Sequence, residues 1–324
     1  MKNGKLLTIA ICAYNMEAFL GRALESCVMP DLSKVEVLIM NDGSTDRTGD
    51  ISDEYAAKYP DAFFHIRKAN GGWGSNLNMA VRIAKGKYFK ELDADDWFET
   101  SNMHRLLDTL ESTDVDMVMT NHRYCYCDHT RDNIPQWHNF LGKTEKLENI
   151  PPFYFPIWDA AYRTDILKAH HVDLPCHMQH TDNLFVQNIL PHISTVKFED
   201  YILYNYMLGR DGQSVNINYL SKHHEQLLEV LRLAFSAYEQ SAFRGNPHLL
   251  YKLKTTYYIF LSHILKLYKV CDLDVKSVIK ELDTYVAEKI PELYSASQEH
   301  KKLRLLRVSN YFFVPLVSYI EKHK

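Results

Sequence analysis

The sequence predicts an α/β protein: a mostly parallel sheet with helices on both faces, followed by a helical C-terminal region. Two observations carry this. Over the first 120 residues, short continuous apolar runs alternate with stretches of helical period, as in strands covered on both faces. From about Tyr219 onward Gly and Pro become rare and long helical patterns take over. At 324 residues the chain has room for one large domain or two ordinary ones. The expected division is 1–215 and 216–324.

Taken in order, the expected strands are Leu6–Cys12, Val35–Met40, Phe63–Arg67, Tyr88–Leu92 and Asp116–Thr120. Helical spacing between them is carried first by Leu20, Ala23, Leu24 and Cys27, and then by Ile51, Tyr55 and Ala56. Leu77, Ala80, Val81 and Ala84 form a third helix, with Gly86 where a C-cap belongs, and Leu106, Leu107 and Leu110 a fourth. The region 123–215 is irregular and rich in proline, and closes with strands at Thr195–Phe198 and Tyr201–Met207. Four helices follow, at Gln226–Tyr238, Leu249–Tyr268, Val275–Lys289 and Gln298–Lys322, the last kinked at Pro315.

Composition narrows the function. Apolar residues are 46% and charged residues 24%, which excludes disorder for most of the chain. With 37 basic and 41 acidic residues the net charge is −4, which argues against a nucleic-acid partner. No run of about 18 apolar residues is present to span a bilayer. The apolar run near the N-terminus lacks a small-residue cleavage site and meets Glu17 early, so it reads as a first strand and not as a leader. Six Cys are too few for a disulfide framework, and Cys125 and Cys127 have no second pair to complete a zinc site. Free thiols in a cytoplasmic protein are expected.

In open parallel sheets, ligands bind beyond the carboxyl ends of the strands. The first strand ends into Ala13-Tyr14-Asn15, the second into Asn41–Asp46, and the fourth into Asp93-Ala94-Asp95-Asp96. Three carboxylates within four residues repel one another unless a cation is shared or one is protonated. A hard divalent ion completed by substrate phosphates would relieve them. They also suit the start of a helix near Trp97. Ser44 and Asp46 read as cap and first-turn acid of the second helix, whereas Asp42 sits at the strand tip and can accept from a base or ribose. Asn70-Gly71-Gly72-Trp73-Gly74-Ser75-Asn76 matches neither G-x-G-x-x-G nor a P-loop, and on pattern alone is a flexible loop with Ser75 as N-cap.

The runs TIAICAYNMEAFLGRALES, VLIMNDGSTDRTGDI and NGGWGSNLNMAVRIAKGKYFKELDADDW, in this order and spacing, resemble glycosyltransferase family 2 over about the first 100 residues. The resemblance implies an A-type glycosyltransferase fold (Rossmann-like), a nucleotide-sugar donor, Mn2+ or Mg2+, and inversion at the anomeric carbon. It places Ala13, Tyr14 and Glu17 at the nucleoside, Asp42 on the base, usually uracil, and Asn70, Gly71 and Asn78 along the donor. Asp93 and Asp95 match the D-x-D pair, with Asp95 the metal ligand, Asp93 near the ribose and Asp96 shaping the site. Trp158–Arg163 resembles a W-N-K-L-Y-R segment, with Asp159 and Ala160 in place of Asn and Lys; Trp158 falls on the acceptor side. His180-Thr181-Asp182-Asn183 resembles the block whose Asp is the catalytic base. Tyr204-Asn205-Tyr206 with Arg210, Gln213 and Ser214 resembles the block whose basic residue reaches the diphosphate.

The implied function is an inverting, metal-dependent hexosyl- or N-acetylhexosaminyltransferase. It would use a UDP-sugar and act on a hydroxyl of a glycan, a lipid-linked glycan or a wall polymer, in cell-surface polysaccharide synthesis. A nucleotidyltransferase on the same fold would need a basic phosphate loop near the N-terminus, which Ala13–Glu17 lacks. A non-catalytic sugar-binding protein is opposed by the presence of Asp93, Asp95 and Asp182. His177 and His180 could share a helical turn with Asp182, but among 16 His chance spacing is the better reading. At the C-terminus, Lys301, Lys302, Arg304, Arg307, Lys322 and Lys324 flank an apolar run. This basic amphipathic end suits helix packing, an oligomer contact, or peripheral binding at the inner face of a membrane.

Overall fold

The computed structural model describes residues 4–170, 173–210, 213 and 216–323; Ser214 and Lys324 lie outside the described residues. The chain divides into two compact units, Met1–Pro151 with Phe155–Arg210, and Pro152–Tyr154 with Asp211–Lys324.

In the first unit the elements run β1 (Leu7–Ala13), α1 (Leu20–Ser26), β2 (Val35–Asn41), α2 (Thr48–Lys58), β3 (Phe63–Arg67), α3 (Gly72–Ile83), β4 (Tyr88–Asp93), β5 (Trp97–Phe98) and α4 (Thr100–Ser112). They continue with β6 (Met117–Cys125), β7 (Thr130–Asp132), β8 (Thr144–Lys146), β9 (Ala160–Arg163), α5 (Thr164–His170), α6 (Asp182–Ile189) and β10 (Thr195–Met207). The sheet order is β3-β2-β1-β4-β9-β6-β10-β5, with β7 beside β6 and β8 beside β10. The long strands β1 to β4, β6 and β10 run parallel, and the short ones are antiparallel to them. Every residue of β1 and β2 is buried, which is why they read as mostly apolar runs; the polar Thr8 and Glu36 within them bond to each other. Ile9, Ile11, Val37 and Leu92 pack with Leu20 and Leu24 of α1 and with Leu106 of α4, while α3 covers β1 and β2 with a separate set of buried side chains.

Three local expectations fail for physical reasons. The two strands read at 195–198 and 201–207 are one strand, because β10 absorbs Glu199 and Asp200 by register shifts on either side of Ile202. That same pairing extends β6 to Cys125. Gly86 is no C-cap: α3 ends at Ile83, and a Cβ on Gly86 would come within 2.4 Å of the Thr8 nitrogen. The glycine is there to let the chain pass β1.

The second unit contains α7 (Ile217–Lys222), α8 (His224–Gln240), α9 (Pro247–Lys266), α10 (Val275–Lys289), α11 (Pro291–Ala296), α12 (Lys301–Val308) and α13 (Val314–Lys322). α8, α10 and α13 pack on α9 through residues such as Leu231, Phe235, Tyr257, Phe260 and Val317. The single kinked helix expected at 298–322 is instead broken. Asn310 and Tyr311 adopt φ 47° and 62°, and Pro315 falls in the first turn of α13. Asp283 of α10 is buried and accepts from Arg307 Nη2 at 2.6 Å and from the Tyr311 hydroxyl at 2.5 Å, which holds α12 down. Among the described residues no helix is long and apolar enough to cross a membrane.

Candidate functional site

The loops leaving β1 and β2 hold each other. The Ala13 carbonyl accepts from the Asp42 amide at 2.9 Å. Asn15, at φ 53°, donates its amide to Ser44 Oγ at 3.0 Å and accepts at Oδ1 from the Thr45 amide at 2.8 Å. The Glu17 amide donates to Asp46 Oδ2, and Glu17 Oε2 accepts from the Arg47 amide, both at 3.0 Å. Ser44 is therefore not a helix cap; α2 starts at Thr48, whose amide donates to Asp46 Oδ1. Tyr14 is left about half exposed at the rim of this pair of loops (48%).

Asp42 is buried, and the glycine loop closes on its carboxylate. The Gly71 amide donates to Oδ1 at 2.9 Å, the Gly72 amide to Oδ2 at 2.7 Å, and the Lys68 ammonium pairs with Oδ1. Gly72 sits at φ 81°, which favours glycine, and a Cβ on Gly71 would lie 2.6 Å from Ser75 Oγ. Asn70 donates its side-chain amide to the Asp42 carbonyl at 3.0 Å. This loop is tied down, and Ser75 lies inside α3, not at its cap.

Asp93 ends β4, where Trp73 Nε1 donates to its Oδ1 at 3.2 Å. Burial, then the Asp95 charge, raises the Asp93 carboxyl to about 7, and the Asp182 charge adds to this. Glu91, two residues back on the same strand, is raised well above the usual carboxylate range by burial and by Asp93. Asp96 turns inward; its oxygens accept from the Tyr204 hydroxyl and the Met207 amide, each at 2.7 Å. Asp95 pairs with Arg210, Nε to Oδ2 at 2.5 Å, and its carbonyl accepts from Arg22 Nη2 at 2.8 Å. The acids do not open a helix at Trp97: that residue belongs to β5, and α4 begins at Thr100.

Asp182 is the first residue of α6, and the Asn183 side-chain amide lies 3.2 and 3.3 Å from its two oxygens. The approach to α6 is stapled to α3. Asn78 donates to the Leu174 carbonyl at 2.9 Å and accepts from the Leu174 amide at 3.0 Å. The His177 amide donates to the Gly71 carbonyl at 2.7 Å, and a Cβ on Gly74 would stand 2.9 Å from both Leu174 Cβ and the Pro175 carbonyl oxygen. His177 and His180 occupy this approach at φ 53° and 62°, so they share no helical turn with Asp182.

Trp158 stacks on Tyr206 with ring centres 4.6 Å apart and planes 11° apart, and Tyr206 feels the charges of Asp96, Asp93, Asp95 and Asp182. Behind it Lys90, fully buried and lowered to about 8 by burial, donates to the Trp158 carbonyl at 2.7 Å. Asp159 is buried against His122, with Oδ1 2.8 Å from Nδ1.

The structure thus gathers Asp93, Asp95, Asp182 and Arg210 at one place, with Ala13, Glu17, Asp42, Asn70 and Gly71 along the adjoining loops. Asn78, expected along the donor, is bonded through both side-chain atoms to the Leu174 backbone. Sequence reasoning did not single out Lys68, Arg22, Tyr206 or the Trp73–Asp93 bond. Lys68 stands two residues before the glycine loop, and Tyr206 lies within the quoted block, so both had a sequence trace. Among the described residues no three His, Cys, Asp or Glu side chains converge as a closed cation cage. The donor set nonetheless fits a hard divalent ion. Asp93 and Asp95 supply carboxylate oxygens, burial and the Asp95 charge both raise Asp93, and the remaining positions fall to substrate oxygens and water.

The model for glycosyl transferase family 2 matches residues 8–170, half of the chain. The chain belongs to glycosyl transferase family 2. It is 29% identical over 172 residues to the uncharacterized glycosyltransferase EpsJ of Bacillus subtilis (strain 168), covering 50% of this chain and 49% of that protein. It is 39% identical over 172 residues to a chondroitin synthase of Escherichia coli, covering 53% and 22%. The chain thus matches EpsJ over about half of that relative's length. Among solved structures, residues 1–349 of S. aureus TarS superpose with a TM-score of 0.65 at 19% identity, covering 95% of this chain and 90% of that one. The mannosyltransferase PcManGT of Pyrobaculum calidifontis, in complex with GDP-Man and Mn2+, gives 0.55 at 15% identity, covering 99% and 88%. At such identities the likeness concerns the fold, which is the A-type glycosyltransferase fold.

Proposed function

We propose that this family member is an inverting glycosyltransferase that moves a hexosyl or N-acetylhexosaminyl group from a UDP-sugar to a hydroxyl of a glycan, a lipid-linked glycan or a wall polymer. The observation that carries the reading is that Asp182 opens α6, whose approach is bonded to Gly71 and Asn78 beside the acid rim, and that its charge acts on Asp93. Such nearness is what a base and a charged leaving group acting on one sugar require. TarS has been solved with UDP-GlcNAc, at a TM-score of 0.56 and 16% identity over 92% of this chain and 91% of that one, which supports a UDP donor.

In this reading the nucleoside lies along Ala13, Tyr14 and Glu17, and Asp42, its charge balanced by Lys68, reads the base. Asn70 and Gly71 border the donor. Asp182 takes the proton of the acceptor hydroxyl as its oxygen attacks the anomeric carbon, and the diphosphate leaves from the opposite face. Mn2+ or Mg2+ on Asp95, beside Asp93, would supply positive charge to the departing diphosphate. Arg210 exchanges its Asp95 partner for a phosphate oxygen. Trp158 and Tyr206 hold the acceptor ring. Residues 1–215 carry this chemistry, and 216–324 serve acceptor, oligomer or membrane contact. The enzyme works on the cytoplasmic side; none of its six cysteines is in a disulfide.

A thermal-shift panel of UDP, GDP and dTDP sugars, with and without Mn2+, tests the proposal. Stabilisation by a UDP-sugar that grows with Mn2+ and disappears in Asp95→Ala is expected. Stabilisation by none of them would sink it.

A further inference from the structure

Among the described residues twelve large apolar or aromatic side chains are exposed, and seven of them lie between Leu305 and Ile320. They are not scattered. Leu305 and Val308 share the outer face of α12 with Lys301 and Arg304, at helical spacing. Phe312, Leu316, Tyr319 and Ile320 share the outer face of α13 and the turn before it. Val308 is 84% exposed and Phe312 72%, values that a settled core does not leave. The inner faces are separately satisfied. Leu303, Leu306, Val314 and Val317 are buried, and the Lys302–Glu321 ion pair joins the start of α12 to the end of α13.

Charge selects the occupant. From Lys301 to His323 the sole acid is Glu321, which is buried, bound to Lys302, and accepts from Ser262 Oγ at 2.8 Å. The exposed charged side chains of this stretch are Lys301, Arg304 and Lys322, all cationic. A second copy of the same face would bring cation against cation. An anionic lipid surface offers the opposite charge, and an apolar layer beneath it takes the aromatic and aliphatic side chains. We infer that the α12–α13 hairpin is a preformed docking surface for an anionic bilayer, lying in the interface plane without crossing it.

The test uses the full chain and sedimentation with vesicles of phosphatidylglycerol and phosphatidylcholine, against phosphatidylcholine alone. Binding to the anionic vesicles is expected, weakened by raising salt from about 0.1 M to about 1 M, where screening shortens to a few ångströms. Lys301→Gln with Arg304→Gln should lower the partition coefficient by roughly fivefold per residue. Phe312→Ser with Leu316→Ser should lower it by about tenfold or more, at an unchanged melting temperature because both side chains are exposed. Equal binding of wild type and both variants overturns the inference. So does equal binding to neutral and anionic vesicles. So does a concentration-dependent dimer that Phe312→Ser with Leu316→Ser dissolves while vesicles stay unbound, since the face would then join two copies. The readout does not involve sugar transfer, so its failure leaves the proposed reaction untouched.

Discussion

Arg210 Nε lies 2.5 Å from Asp95 Oδ2, so the carboxylate expected to hold a cation is closed by an arginine from the segment after β10. The pair is well shielded, with side-chain exposures of 17% and 11%. An anionic diphosphate competes for the arginine, and a cation competes for the carboxylate, so donor and metal should enter together. Arg210→Ala should therefore tighten Mn2+ binding in the absence of nucleotide and weaken UDP-sugar binding about tenfold or more. Titration calorimetry measures both; movement of the two affinities in the same direction would refute the exchange.

Asp182→Asn keeps shape and removes the proton acceptor. Transfer should fall by about 10²–10⁴-fold, the usual contribution of a general base. UDP and Mn2+ affinity should stay within about twofold. A fully active variant would put the base on another residue.

The raised Asp93 carboxyl makes stability depend on pH. Its ordinary value is 3.8 and its folded value about 7, so between these the folded state holds a proton that the unfolded state has released. Glu91 and Asp96 are raised in the same direction. The metal-free protein should be more stable near pH 5 than near pH 8, losing stability as pH rises from about 4 to about 7. Melting curves across that window check the sign. Asp93→Asn should flatten the slope, and a wild-type protein that gains stability throughout the window would contradict it.

Gly74→Ala sets two effects against each other. Helix propensity favours alanine by about 1 kcal/mol. The new Cβ would stand 2.9 Å from Leu174 Cβ and the Pro175 carbonyl oxygen, and the backbone oxygen cannot rotate away. The clash should win by about 1–3 kcal/mol. It should also push the entry to α6 outward, lowering kcat through Asp182 while UDP affinity holds. Unchanged kcat would separate the α3 contact from the placement of Asp182.

The strands that carry the site were legible because β1 and β2 are buried on both faces and are mostly apolar, Thr8 and Glu36 being the polar residues within the runs that were read as strands. β10 was misread where Glu199 and Asp200 interrupt the pattern, since a register shift has no compositional mark. The crowding of Asp93, Asp95 and Asp96 was legible as a cation site or a helix start, with the family resemblance deciding between them; Asp182 was legible only through that resemblance, since by pattern alone it passes for a helix-start residue. The pairs that close on them, Lys68 with Asp42 and Arg210 with Asp95, join residues 26 and 115 positions apart, and no local spacing reports such contacts. Lys90 and Glu91 are charged residues at the centre of a buried strand, where burial has to be seen before it can be argued.

The Asp283–Arg307 pair sets a limit on how this protein can be shortened. Cutting before α12 would take away the cation and the Tyr311 hydroxyl together and strand an anion inside the helical unit, a loss of about 3–5 kcal/mol. A trimmed chain meant to dissolve better would lose this pair together with the buried Leu303, Leu306, Val314 and Val317, so Asp283→Asn alone would not restore it. Solubility is better sought by softening the outward side chains one at a time, with the tail left in place.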